Sequence, residues 1–190
     1  AGGSSSRFGG APKGLALFAG KPLALHVVDT LREVCDSVAI ETQSDLGYEA
    51  LGAALCTSAP DHVGKGPIAG MIAGLKFAEA AGVETVAFAA CDMPFLTPQL
   101  YRKLSAGLDD ALAAYAISPD GAEPLIAVVR TAALRDLERA LEGDEIARAH
   151  VILDRAGAIS VRFADPSPFR NINTPEDLEQ AASFFSGSQP

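Results

Sequence analysis

The chain has 190 residues, 48% hydrophobic and 21% charged, with a formal net charge of −9. This balance is globular rather than disordered, and the length suits one domain spanning 1–190 with a sizeable core. The acidic excess excludes nonspecific binding to nucleic acid or an anionic membrane surface, and no apolar run approaches the ~18 residues of a membrane-spanning helix.

Cys35, Cys56 and Cys91 are odd in number and form no C-x-x-C, which points to buried thiols in a reducing cytoplasm. His26, His62 and His150 are scattered, without the spacing of a zinc site.

The chain opens on AGGSSSRFGGAPKG. Glycines without Cβ let backbone N–H groups approach a ligand closely, and Arg7 and Lys13 add two fixed cations. Bare amides flanked by cations suit a polyphosphate. The spacing matches neither G-x-x-x-x-G-K-[ST] nor G-x-G-x-x-G, so it is neither a P-loop nor a dinucleotide fingerprint. A flexible Gly/Ser terminus is the alternative reading, but Arg7-Phe8 and Pro12-Lys13 interrupt the low-complexity run.

After Gly14 the sequence predicts a turn at Gly20-Lys21, then a helix beginning at Pro22. Leu23, Val27, Val28, Leu31 and Val34 recur at helical spacing to about Cys35. Residues 37–43, SVAIETQ, read as a strand whose polar end includes Gln43. In open α/β sheets such strand ends line the ligand crevice. A short helical stretch over 48–51 and a strand over 53–57 follow. The loop from Asp61 ends at Pro67, which opens a helix to about Ala81.

Residues 84–90, ETVAFAA, form the near-continuous apolar strand of a buried sheet, and it runs directly into Cys91-Asp92-Met93-Pro94. A carboxylate at the end of a central strand can hold Mg²⁺, or it can simply cap the next helix. A helix over 98–106, a strand over 111–117, a turn over 118–123 and a strand over 124–129 come next. Two helices, 132–141 and 145–156, precede a strand over 158–163. Thr174 as N-cap, Pro175 at N1 and Asp177 at N3 then start a final helix to about Phe185, with 186–190 expected to fray. This alternation predicts a three-layer α/β/α, Rossmann-like domain with a mostly parallel, mixed central sheet, in which 111–129 adds an antiparallel strand.

Four segments, in order, carry a resemblance: AGGSSSRFGGAPK, DHVGKGPIAGM, CDMPFL and FRNINTPEDL. Together they resemble the molybdenum cofactor guanylyltransferases, the MobA family. That family has apolar residues ahead of the first motif, so the sequence as given is expected to lack a short first strand. The resemblance implies Mg²⁺-dependent transfer of GMP from GTP to the terminal phosphate of molybdopterin, with loss of pyrophosphate. It also implies transient contact with proteins that deliver or accept the cofactor.

By that resemblance Ala1, Gly2, Gly3, Lys13, Gln43, Asp61 and Asp92 bind the nucleotide. Lys13, Asp92 and Arg7 serve catalysis, and Asp92 holds the metal. Asn171 and Asn173 face the pterin substrate. A carboxylate such as Asp61 can accept both N1–H and N2–H of guanine, which cytosine does not present. The nucleophile is already an anion, so the lack of a Ser/His/Asp or Cys/His arrangement fits this chemistry. Three rivals stay open: a CTP-dependent cytidylyltransferase for the same cofactor, a sugar-phosphate or isoprenoid-precursor nucleotidyltransferase, and a nucleotide-binding module without catalysis.

Overall fold

A computed structural model describes residues 12–43, 47–63, 65–142 and 148–186. The chain alternates strands and helices. A hairpin of β1 (Leu17–Phe18) and β2 (Lys21–Pro22) leads into α1 (Leu23–Arg32). Next come β3 (Ala39–Glu41), β4 (Ala54–Cys56), α2 (Pro67–Ala80), β5 (Thr85–Phe88) and α3 (Pro98–Leu108). The second half holds β6 (Ala113–Ser118), β7 (Gly121–Arg130), α4 (Leu134–Glu142), α5 (Ala149–Arg155), β8 (Ala158–Arg162) and α6 (Pro175–Ser186).

Period-2 alternation in β6 and β7 builds the layers. Ala113 and Tyr115 of β6, with Ala127 and Val129 of β7, face a core made with Ile72 and Leu75 of α2, Leu137 of α4 and Leu153 of α5. The intervening residues, Ala114, Ala116, Ile126 and Val128, face the opposite core with Val27 and Leu31 of α1 and Leu100 and Leu104 of α3. Helices thus cover both faces of the sheet, the three-layer α/β/α arrangement expected from the sequence.

The sheet runs β5-β7-β6-β8, with β7 antiparallel to both neighbours and β6 parallel to β8. β3 and β4 form a separate parallel pair. The mixed character therefore comes from β7. It begins at Gly121 rather than 124, because Ser118 already pairs with Gly121 across a two-residue turn. The register shifts so that Tyr115 faces Ala127 but Ala116 faces Glu123. Pro124 lies within the bulged residues between, where its missing N–H breaks no ladder. α5 begins at Ala149, four residues later than its periodicity predicts.

β3 pairs with β4 alone and β5 with β7 alone among the described residues. Between them lies an apolar channel of about 1090 Å³, walled by Val27 and Leu31 on one side and Gly70, Gly74 and Ala78 on the other. Its rim is polar, carrying Glu41, Gln43, Ser58 and Asp92. Among the described residues no helix is long and apolar enough to cross a membrane.

Candidate active site

Lys13 starts a 3-10 turn, Lys13–Leu15, closed by Leu15 N–H to the Pro12 carbonyl at 2.9 Å and Ala16 N–H to the Lys13 carbonyl at 3.0 Å. The turn has a fixed seat because Gly14 is buried and bare. A Cβ there would come within 2.6 Å of the Tyr48 hydroxyl oxygen. From this seat Lys13 Nζ donates to Asp92 Oδ2 at 2.5 Å and to Asn173 Oδ1 at 2.7 Å.

Asp92 follows the end of β5, where the chain leaves the apolar strand. Its side chain is 21% exposed and that of Lys13 22%. Oδ1 of Asp92 is buried and has no hydrogen-bond partner among the described residues. Neighbouring Cys91 is half-buried, as are Cys35 and Cys56, rather than fully buried as the sequence suggests, and its lost hydration still pushes the Cys91 thiol pKa up.

Asn173 reaches the pair from the last connection of the chain. Ile172 N–H donates to the Asp92 carbonyl at 2.9 Å, stitching this segment to the end of β5. Asp177 Oδ2 accepts the N–H groups of Asn173 at 2.8 Å and Thr174 at 2.9 Å, and Thr174 Oγ1 accepts Asp177 N–H at 3.1 Å. This reciprocal cap starts α6 and clamps the Asn173 backbone. The Asn173 amide is the first cause holding the Asp177 carboxyl below its ordinary pKa, and the Thr174 amide adds to it. Asn171 is exposed, two residues before Asn173 on the same connection.

Gln43 also lies on the channel rim, but its amide is engaged. Gln43 Nε2 donates to Glu41 Oε1 at 2.9 Å, as does Ser58 Oγ at 2.9 Å. Glu41, the last residue of β3, holds its carboxylate over the first turn of α2, 3.5 Å from where a Gly70 Cβ would stand. The sequence reading passed over Glu41, although its place as the final polar residue of an apolar strand is the same signal that singled out Gln43. Asp61 sits in the 3-10 turn Pro60–His62 ahead of α2, whose N-cap Gly66 has φ +77°. The side chain of Asp61 lies outside the described residues, as do Ala1, Gly2, Gly3 and Arg7.

The structure thus brings together Lys13, Asp92 and Asn173, from positions 79 and 160 residues apart. Among the described residues there is no group of three or more His, Cys, Asp or Glu able to hold a metal.

Comparison with known proteins shows the family of the chain. The family described as the MobA-like NTP transferase domain matches residues 1–158. A molybdenum cofactor guanylyltransferase of Desulfosudis oleivorans is 35% identical over 188 residues, 95% of this chain and 91% of that protein. One from Yersinia pestis (strain Pestoides F) is 35% identical over 182 residues, 94% and 90%. The crystal structure of molybdopterin-guanine dinucleotide biosynthesis protein A from Archaeoglobus fulgidus superposes with a TM-score of 0.76 at 27% identity, covering 98% of this chain and 96% of that one. On this evidence the chain belongs to the MobA-like NTP transferase family.

Proposed function

We propose that this chain is a molybdenum cofactor guanylyltransferase. The reading rests on relatives that carry that name at 35% identity over 95% of the chain. The single structural observation that carries it is the convergence of Lys13, Asp92 and Asn173 at one rim. An oxygen of the terminal phosphate of molybdopterin attacks the α-phosphorus of GTP. The bond from the α-phosphorus to the bridging oxygen breaks, and pyrophosphate leaves with the electron pair. No proton need be removed from the nucleophile, so the demand on the protein is alignment and charge neutralisation.

An ammonium has three N–H donors, and Lys13 commits two of them to Asp92 and Asn173. The third is available to a phosphate oxygen, held in direction by the other two. Arg7 and the amides of the first motif are assigned to the triphosphate on the resemblance, and Asp61 to guanine. Asn171 and Asn173 are assigned to the pterin side, with Asn173 joining that side to Lys13.

The partnerless, buried Oδ1 of Asp92 fits a hard divalent cation, since Mg²⁺ is commonly held by one or two carboxylates plus substrate phosphates. When bound, Mg²⁺ would supply Lewis-acid neutralisation of phosphate charge.

The test is pyrophosphate release from GTP, CTP, ATP and UTP with molybdopterin as acceptor, with and without Mg²⁺. Turnover with GTP at least tenfold above the other three supports the reading. Preference for CTP moves the chain to the cytidylyltransferases, and no release with any nucleotide overturns catalysis.

A further inference from the structure

We infer that Tyr48 is a positioning residue that fixes the separation of Lys13 and Asp92. The inference rests on the reading above, in which that pair acts on the reacting phosphates. Tyr48 opens the turn Tyr48–Leu51 after Gly47 at φ +95° and is 1% exposed. Its ring belongs to the small core of Ala24, Val28, Ile40 and Leu51, on which Leu15 and Cys91 also pack. The phenol therefore lies among the residue after Lys13, two residues after it, and the residue before Asp92.

The contact with Gly14 is tight. An ideal Cβ on Gly14 would stand 2.6 Å from Tyr48 Oη, 3.1 Å from Cε1 and 3.3 Å from the Cβ of Ala24. The hydroxyl itself is buried, and the Gly14 backbone amide is the polar group turned toward it, short of a well-formed hydrogen bond. A buried hydroxyl without a well-formed hydrogen bond costs roughly 1–3 kcal/mol, so a phenylalanine would be the cheaper way to fill a core. What the oxygen adds is reach: of the surrounding atoms it comes nearest to where a Gly14 Cβ would stand. The turn carrying Lys13 rests on that atom, while the same small core supports Cys91 under Asp92. A displacement of about 1 Å in a catalytic group can cost on the order of 100-fold in rate. A rigid phenol beside Gly14, in the small core on which Cys91 also packs, is a physical means of preventing it.

The contact has a reciprocal test. Gly14→Ala drives a methyl into Oη, and Tyr48→Phe removes the oxygen it strikes. We expect G14A to lower kcat about 10- to 100-fold with KM for GTP within about threefold, as for lost transition-state alignment. The double variant G14A/Y48F should recover most of that kcat. A purely structural clash would restore thermal stability without moving kcat independently of KM.

The second readout is the ¹⁵Nζ NMR signal of Lys13, displaced in G14A and returned in the double variant. It reports the pair whether or not nucleotide is turned over. If G14A does not fold, Tyr48→Leu gives the same two readouts, with kcat down about tenfold and the Lys13 signal displaced. Wild-type enzyme inactive with GTP counts against the guanylyltransferase reading alone, and the NMR result then decides the positioning claim. Wild-type-like kcat and an unmoved Lys13 signal in G14A or Y48L, or a double variant no better than G14A, overturns the role of Tyr48.

Discussion

The backbone N–H of Ile172 donates to the carbonyl of Asp92 at 2.9 Å, joining the connection before α6 to the end of β5. This one bond sets the depth of Asn173, the next residue, so that its Oδ1 meets Lys13 Nζ while Asp92 Oδ2 meets the same nitrogen from the other side. Ile172 is itself buried, beside Phe18, Leu23 and Ala181. Apolar packing of the α1 and α6 ends thereby supports a polar cluster at the surface.

Lys13→Ala and Asp92→Ala should each fold and lose turnover by roughly 10²- to 10³-fold, the scale for removing one preorganised charge from a transition state. The pair is only about a fifth exposed, so either truncation leaves the other charge partly buried and lowers the melting temperature without unfolding the chain. Circular dichroism should match wild type, with the loss in single-turnover rate. A variant that retains the wild-type single-turnover rate removes its residue from the mechanism.

Much of the fold was legible because the apolar patterns are strong. ETVAFAA reads as the buried strand of a sheet centre and does become β5, but over Thr85–Phe88 only and half-exposed, because among the described residues it pairs with β7 alone. The spacing of Leu23, Val27, Val28 and Leu31 becomes the inner face of α1. Lys13, Asp92 and Asn173 were each named from local motifs. The resemblance led to the expectation that Lys13 and Asp92 converge at one edge of the sheet, and they do. That Asn173 joins them at the same nitrogen was not legible, because it depends on the Ile172–Asp92 hydrogen bond between segments far apart in sequence. The start of β7 was hidden by Pro124, which suits the first residue of a strand and so places the beginning there. Here the bulge absorbs it and the ladder resumes on the far side. Tyr48 was missed for another reason: Gly14, against which it packs, lies far off in the chain and no local pattern announces the contact. Glu41 carries the same strand-end signal as Gln43, but its neighbours Ser58 and Gly70 come from elsewhere in the chain.

Asp177 should couple α6 to acid. Its folded pKa lies below the ordinary 3.8 because it accepts backbone amides in the folded state. A depressed carboxyl contributes stability that is fully present above the unfolded value and lost as pH falls through the folded one. Asp177→Ala is therefore expected to melt lower than wild type at neutral pH. The gap between the two should close as pH drops below 3.8, followed by thermal melts at successive pH values. A gap of constant size through that window would show that the cap does not titrate. The variant should also raise KM for the pterin substrate, since the cap clamps the backbone of Asn173.

The cores predict where stability resides. Leu104 is fully buried between α3 and the sheet, so Leu104→Ala should cost about 2–5 kcal/mol by lost burial and a residual cavity. Gly74 behaves differently. Alanine is the better helix former by about 1 kcal/mol, but a Cβ at Gly74 would stand 2.9 Å from Phe88 Cε1, where α2 crosses β5. Gly74→Ala should destabilise, and adding Phe88→Leu should recover part of the loss. Urea melts of the two singles and the double measure that coupling directly. Additive losses would mean that α2 shifts to accept the methyl.

Under the proposed function, the polar cluster at β3 serves binding rather than chemistry. Gln43 and Ser58 both donate to one oxygen of Glu41, so the three side chains form a single polar unit beside the start of α2. Its distance in sequence from Lys13 and Asp92, and its place at the end of a different strand, suit contact with a part of the nucleotide that does not react. Interactions equal in ground and transition states change KM and leave kcat alone. Gln43→Ala is therefore expected to raise KM for GTP about 5- to 10-fold with kcat within about twofold. Ser58→Ala, which loosens the same carboxylate from the other side, should move KM in the same direction by less. A fall in kcat at saturating GTP in either variant would place this unit with Lys13 and Asp92 at the reacting phosphates instead.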